Sequence, residues 1–266
     1  ADGRTMHVIK RVVAALSTAA LVILALLKVP MTYVLPVMIL LVACVHLEFT
    51  QMVARKYRSM GVLGLLSGVA VLLYKVYYDV DCAYVLIPLV FLLALRTLFG
   101  KFERPIQTLA VTLLGILYIP VTLSFFIRIP IEFGVMTLIY VIAIIKISDM
   151  GGFAFGMLFG RHKMCPTISP KKSWEGLAGS IFASCLVSVL LASVSATRIV
   201  DYPIAKALAF GVTAALVGTA GDLIESRIKR ECGVKDSSTF LPAGMGGFLD
   251  MFDSLIFAPA LLLPFL

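Results

Sequence analysis

The chain has 266 residues, of which 61% are hydrophobic and only 14% are charged, and its net charge is +8. Its mean hydropathy of +1.03 excludes an ordinary water-soluble domain, because one core could not bury so much apolar surface. Continuous apolar runs, instead of alternating segments of about ten residues, favour transmembrane helices over a transmembrane β-barrel. We therefore expect an all-α, polytopic integral membrane protein.

Nine apolar runs predict about nine transmembrane helices, and prolines inside them are compatible with kinked membrane helices. The runs cover residues 12–27, 31–47, 61–74, 82–99, 107–127, 134–148, 176–196, 204–224 and 247–265. The first run follows Lys10 and Arg11 but does not end in a small-residue cleavage site. We interpret it as a retained helix and not as a signal peptide.

The distribution of Lys and Arg predicts the orientation of these spans. Sixteen of the 23 basic residues fall in one alternate set of loops and five in the other, with Arg96 and Lys146 inside runs. Because basic loops stay in the cytoplasm, the N-terminus is predicted to be cytoplasmic and the C-terminus outside. The positive charge is therefore read as a membrane signal, and no nucleic acid is expected.

The polar stretches predict two functional parts. Residues 1–130 are expected to be structural membrane helices, with a dimer-forming role left open. Residues 131–266 contain the two longest polar stretches, 149–175 and 225–246, which both come out on the cytoplasmic side. The second part is therefore predicted to be the catalytic region, with a site that faces the cytoplasm. The five scattered cysteines lack CxxC spacing and argue against a disulfide framework or a zinc site.

The sixth run ends at Asp149, and a basic segment precedes the seventh. Lys171, Lys172 and Ser173 lie just before that run, where the N–H groups of a helix start can join them in binding phosphate. Ordinary positive flanking of a membrane helix is the alternative interpretation.

The end of the eighth run carries an acid, a hydroxyl and a base on one helical face. Asp222, Glu225, Ser226 and Lys229 are spaced so that they share that face. A salt-bridged helix end is the alternative, but Asp222 still lies within the apolar run, where a surface ion pair is not needed.

The ninth run contains two carboxylates near its start. Gly247 is followed by Asp250 and Asp253, one helical turn apart. Exposure of these carboxylates to lipid would cost free energy. They are suitable ligands for Mg²⁺, which binds one or two carboxylates together with substrate phosphates. Acids favoured by the helix dipole are the alternative.

These residues together resemble the phosphatidate cytidylyltransferase, or CDP-diacylglycerol synthase, family. The family signature reads here as Ser226-Arg227-Ile228-Lys229-Arg230, Lys235-Asp236, Leu241-Pro242, Gly246-Gly247 and Asp250-Met251-Phe252-Asp253. Asp149 and the segment 169–176 resemble a second family block, so the likeness covers roughly residues 146–254. Met245 and Met251 stand where the family usually has His and Arg, and the segment before Gly246 is one residue longer than usual.

The resemblance implies a membrane enzyme that joins CTP to phosphatidic acid, releases pyrophosphate and forms CDP-diacylglycerol. It also implies a divalent metal, usually Mg²⁺, with a second cation left open, and a homodimer in the inner cell membrane. A CTP-dependent lipid kinase and an ion-coupled transporter are the alternative functions.

Three sets of candidate site residues follow. The predicted catalytic residues are Asp222, Lys229 and Asp250. The predicted phosphate-binding residues are Lys171, Lys172, Ser173, Ser226, Lys229, Arg230 and Lys235. The predicted metal ligands are Asp222, Asp250, Asp253 and Asp149.

Overall fold

The computed structural model describes residues 31–78, 83–193, 202–237 and 247–266. The chain divides into two compact units, Ala1–Met38 and Ile39–Leu266. All candidate site residues lie in the second unit. The predicted span 12–27 lies outside the described residues.

Helices account for most of the described chain. They are α1 (Met31–Val53), α2 (Gly61–Tyr77), α3 (Ala83–Phe99), α4 (Pro105–Ile116), α5 (Thr122–Glu132), α6 (Val135–Phe159), α7 (Trp174–Ser193), α8 (Ile204–Glu231), α9 (Phe248–Phe252) and α10 (Ala258–Leu262). A π-helical turn, Leu117–Val121, joins α4 to α5, and a 3₁₀ turn, Leu263–Phe265, follows α10.

Five of the described helical segments are long and apolar enough to cross a membrane. They are Leu35–Val53, Pro105–Glu132, Val135–Phe159, Trp174–Ser193 and Ile204–Glu231. Two shorter apolar helices cover Gly61–Tyr74 and Ala83–Phe99. The expectation of a polytopic, helical membrane protein is confirmed at this level.

The prediction of a ninth continuous span over 247–265 is wrong. This segment forms the two five-residue helices α9 and α10 and the closing 3₁₀ turn. Pro259 stands in the first turn of α10, where its missing N–H is not needed. Residues 253–257, between α9 and α10, form turns instead of helix, so the segment is not one continuous span.

The span Pro105–Glu132 contains the π-helical turn around Pro120. A wider turn accommodates a proline, which cannot donate the usual helical hydrogen bond. Tyr118 in this turn is buried between the rings of Phe49 and Phe257, with centroid distances of 5.6 and 5.4 Å. Pro120 packs on Gly68 of α2, where an added Cβ would lie 2.5 Å from the proline ring.

The helices α6, α7 and α8 pack side by side, and glycines bring α6 very close to α7. A Cβ added to Gly151 would lie 2.7 Å from the carbonyl oxygen of Gly179, and one added to Gly152 would lie 2.3 Å from Ser180 Oγ. Small residues allow such backbone contact between membrane helices.

A small antiparallel hairpin connects α6 to α7 within an otherwise helical fold. Its strands are β1 (Lys163–Cys165) and β2 (Ser169–Ser173). Glu175 at the start of α7 accepts hydrogen bonds from the backbone N–H groups of Arg161 and His162, each at 3.2 Å. This carboxylate holds the base of the hairpin to the helix that follows.

Candidate active site

The C-terminal turns of α8 supply the central face of the site. Glu225, Ser226 and Lys229 are buried, and Ser226 Oγ donates a hydrogen bond to Asp222 Oδ1 at 3.3 Å. The predicted common face of Asp222, Glu225, Ser226 and Lys229 is therefore present. The face is covered by the chain that follows α9, because a Cβ on Gly221 would lie only 2.6 Å from the carbonyl oxygen of Asp253.

Lys229 joins this face to the start of α9. Its Nζ lies 2.5 Å from Glu225 Oε2 and 2.7 Å from Asp250 Oδ1, and its side chain is only 11% exposed. The other oxygen of Asp250 accepts hydrogen bonds from the backbone N–H groups of Gly247 and Ser237, at 2.8 and 3.3 Å. Burial opposes ionisation of Asp250, but the bonds from Lys229 and Gly247 outweigh it and lower the pKa of this carboxyl. Asp250 is therefore a fixed carboxylate that holds Lys229 in place.

A second acidic cluster adjoins the first and joins α6 to the C-terminal segment. Ser254 Oγ donates a hydrogen bond to Asp149 Oδ2 at 2.8 Å, and Lys146 Nζ lies 3.2 Å from the same Ser254 oxygen and 3.5 Å from Asp149 Oδ2. Burial, with the nearby charges of Asp222 and Asp149, raises the pKa of Asp253 to about 7. Such crowding of carboxylates is relieved when a cation enters.

The hairpin brings one of the predicted phosphate ligands into the site. Lys172 Nζ lies 2.8 Å from Asp222 Oδ2 and donates a hydrogen bond to the Thr219 carbonyl at 3.2 Å. Ser173 is buried, and its hydroxyl caps α7 by accepting the backbone N–H of Gly176 at 3.2 Å. The Lys171 side chain is exposed. Of the three predicted residues here, Lys172 reaches the carboxylates, Lys171 does not, and Ser173 fixes the helix start.

The remaining predicted cations lie at the exposed end of α8. Arg230 donates hydrogen bonds to the carbonyl oxygens of Ile168 in the hairpin turn and of Val234, at 3.3 and 3.2 Å. Lys235 is exposed. Arg230 thus fastens the hairpin to α8, and both residues border the site without touching its carboxylates.

The predicted metal ligands can be tested for fit to a divalent cation. Within residues 31–78, 83–193, 202–237 and 247–266, no group of three or more His, Cys, Asp or Glu residues is arranged to hold a metal ion by itself. Mg²⁺ does not need such a group, because it keeps waters and takes one or two carboxylates with substrate phosphates. The neighbouring oxygen donors of Asp222 and Asp253 fit this mode of binding.

Two charged residues of the site were not predicted from the sequence. Glu48 on α1 is fully buried and accepts the backbone N–H of Leu249 at 2.7 Å. Lys146 on α6 contacts Asp149 and Ser254. Both are charges within or beside apolar runs, and this was the available signal that they serve a site.

Comparisons with known proteins show which family the chain is related to. Residues 9–266 match the cytidylyltransferase family. A phosphatidate cytidylyltransferase from Staphylococcus aureus strain COL is 36% identical over 179 residues, which cover 66% of this chain and 66% of that protein. Proteins of the same name from Mycobacterium bovis and Mycobacterium tuberculosis strain CDC 1551 are each 44% identical over 109 residues, which cover 41% of this chain and 34% and 32% of those proteins.

The chain thus spans slightly less than two thirds of the length of the staphylococcal protein and about a third of the length of each mycobacterial one. The family match, by contrast, covers nearly the whole chain. The fold is that of a polytopic helical membrane protein, and lysines and carboxylates gather at the end of α8. The chain belongs to the cytidylyltransferase family.

Proposed function

We propose that this protein transfers the cytidylyl group of CTP to phosphatidic acid and forms CDP-diacylglycerol and pyrophosphate. Membership of the cytidylyltransferase family supports the reaction, and the names of the staphylococcal and mycobacterial relatives support phosphatidate as the acceptor. One structural observation carries the proposal: lysines and carboxylates from α6, the hairpin, α8 and the C-terminal segment lie together.

The chemistry requires charge stabilisation more than an activated nucleophile. A phosphate oxygen of phosphatidic acid, already anionic at neutral pH, attacks the α-phosphorus of CTP. The bond from that phosphorus to the β-phosphate oxygen breaks, and pyrophosphate carries away the electron pair. Two polyanions must meet, so bound cations and positive side chains reduce their repulsion and stabilise the transferring group.

The residue roles follow from the contacts. Lys229 and Lys172 are proposed to bind phosphate oxygens, since each already lies against a carboxylate that can hold its ammonium group in place. Asp222, Asp250, Asp253 and Asp149 are proposed to line the cation site. A divalent ion bound there would neutralise phosphate charge and polarise the reacting phosphoryl group. Lys171, Lys235 and Arg230 are proposed to attract the nucleotide at the rim, with Ser226 and Ser173 supporting Asp222 and Lys172.

The setting in the membrane is part of the proposal. The basic loops favour a cytoplasmic site in the inner cell membrane, with residues 131–266 as its main part. CTP would enter from the cytoplasm, and the lipid would enter sideways from the bilayer. A homodimer and a second cation, both suggested by the family resemblance, stay predictions.

Labelled CTP tests the reaction directly. Purified protein is incubated with phosphatidic acid and CTP that carries ³²P at either the α or the γ position, with Mg²⁺ or with a chelator. We expect label in the lipid only from the α position and only with the divalent ion. Label from the γ position would instead indicate a CTP-dependent lipid kinase, and label from neither position would favour an ion-coupled transporter.

A further inference from the structure

The turn that begins α9 is held by a carboxylate from a distant part of the chain. Glu48 on α1 is fully buried, and its Oε2 accepts the backbone N–H of Leu249 at 2.7 Å and the hydroxyl of Ser237 at 3.4 Å. The first N–H groups of any helix lack partners within the helix, so they need outside acceptors. Glu48 supplies one of them.

Asp250 supplies a second acceptor for the same turn. It accepts the N–H of Gly247 at 2.8 Å and the N–H of Ser237 at 3.3 Å, while its second oxygen binds Lys229. Ser237 therefore contacts both carboxylates, through its hydroxyl and its N–H. Glu48 and Asp250 clamp one short piece of backbone from two sides.

Gly247 shows how closely this clamp is packed. A Cβ added there would lie 2.5 and 2.6 Å from the two carboxylate oxygens of Glu48 and 2.1 Å from Ser237 Oγ. A real Cβ atom does not approach other atoms so closely, so the backbone of Gly247 lies directly against the carboxylate. Movement of Glu48 therefore moves the backbone that bears Asp250.

We propose that Glu48 is a positioning residue for the reaction. From α1 it fixes the turn Gly247–Leu249 and thereby holds Asp250 against Lys229. It acts as a hydrogen-bond acceptor, through Asp250, and not by touching the substrates. The inference rests on the proposed function, because Asp250 is one of its proposed catalytic residues.

The test compares three variants for turnover and for backbone protection. Glu48→Gln keeps a side-chain carbonyl oxygen where Oε2 lies, and Glu48→Leu removes the acceptor. Thr112→Val is the matched control: Thr112 is also buried in the N-terminal half and accepts the Met60 N–H at 3.0 Å, far along the chain from Asp250. Each variant is assayed for α-label transfer and for deuterium uptake by a peptide covering residues 247–252.

If Glu48 acts as a hydrogen-bond acceptor for the turn Gly247–Leu249, the three variants should differ in turnover and in exchange. Glu48→Leu should lower kcat by about tenfold to a hundredfold, as misplacement of a catalytic group by about 1 Å does, while KM for CTP changes little. Its 247–252 peptide should exchange faster. Glu48→Gln should keep kcat within about fivefold of the unaltered enzyme, because the same hydrogen bonds can form. Thr112→Val should leave both kcat and the exchange of this peptide unchanged.

Two results would overturn the proposal. One is unchanged exchange at 247–252 in Glu48→Leu, and the other is a loss in Glu48→Gln as large as in Glu48→Leu, which would assign Glu48 a role that needs its charge. If Glu48→Leu does not fold, Gly247→Ala tests the same contact from the other side, and faster exchange with lower kcat is again expected. Absence of α-label transfer by the unaltered enzyme would count against the proposed function, whereas a failure confined to the variants would count only against Glu48.

Discussion

The approach of the C-terminal segment to α8 depends on one glycine, and replacing it should disable the enzyme. In Gly221→Ala, the new Cβ would start 2.6 Å from the carbonyl oxygen of Asp253, whereas ordinary contact begins near 3.4 Å. Because the obstacle is backbone, the segment bearing Asp253 must move by about 0.8 Å, which is the difference between these distances. Overpacking of this kind costs about 1 to 3 kcal/mol of stability.

The same movement should affect turnover more than stability. A shift of about 1 Å in catalytic groups can cost a hundredfold in rate, so we expect kcat to fall by about tenfold to a hundredfold. Gly218 provides the matched control on the same face, one turn earlier in α8. A Cβ there would lie 3.7 Å from its nearest neighbours, Ile145 and Ser254, which is ordinary contact. Gly218→Ala should therefore fold well and keep near-normal kcat.

The assay measures thermal unfolding in detergent and α-label transfer from CTP to phosphatidic acid for both variants. The expected pattern is a lower Tm and a much lower kcat for Gly221→Ala alone. If Gly221→Ala proved as active as Gly218→Ala, the position of Asp253 against α8 would not matter to the reaction. The proposed cation site between Asp222 and Asp253 would then be wrong.

Two further predictions concern the charged groups themselves. Asp250→Asn should lower kcat by orders of magnitude with little change in unfolding temperature, because the amide oxygen can still accept the Gly247 N–H but the charge facing Lys229 is lost; near-normal kcat in the purified variant would remove Asp250 from the site. Lys172→Gln should raise KM for CTP by about tenfold or more, because Lys172 reaches the site and a charge-assisted bond to phosphate is strong there. The neighbouring Lys171→Gln should change KM by less than about threefold, because the Lys171 side chain is exposed. Equal effects of the two lysine substitutions, measured by initial rates at varied CTP, would refute the distinction drawn from the Lys172–Asp222 contact.

Much of the site could be predicted because charge is costly in an apolar helix. Asp222 and Lys229 stand out at the end of a long apolar run, and helical spacing places them on one face, as found. The partner of Lys229 could not be predicted in the same way. The contact between Lys229 and Asp250 depends on the path of the C-terminal segment, which local sequence does not determine.

The errors also have physical causes. The run 247–265 is apolar enough for a span, but hydropathy does not register where a helix is interrupted, and here Pro259 stands in the first turn of a new helix. The hairpin strands, of three and five residues, are too short to show an alternating pattern. Glu48 is a single acid beside an apolar run, and sequence alone does not show that it accepts the backbone N–H of Leu249.

The π-helical turn at Leu117–Val121 changes which neighbours the two halves of the long segment Pro105–Glu132 can contact. One extra residue in a turn offsets everything downstream by roughly 100° around the axis. The upstream half, α4, can therefore present Thr112 to the start of α2, while the downstream half, α5, packs on α6 and α10. Deleting a residue from this turn would restore regular α-helix but would rotate α5 relative to α4. A single-residue change in a helix that carries none of the proposed site residues would thus displace the C-terminal segment that carries Asp253.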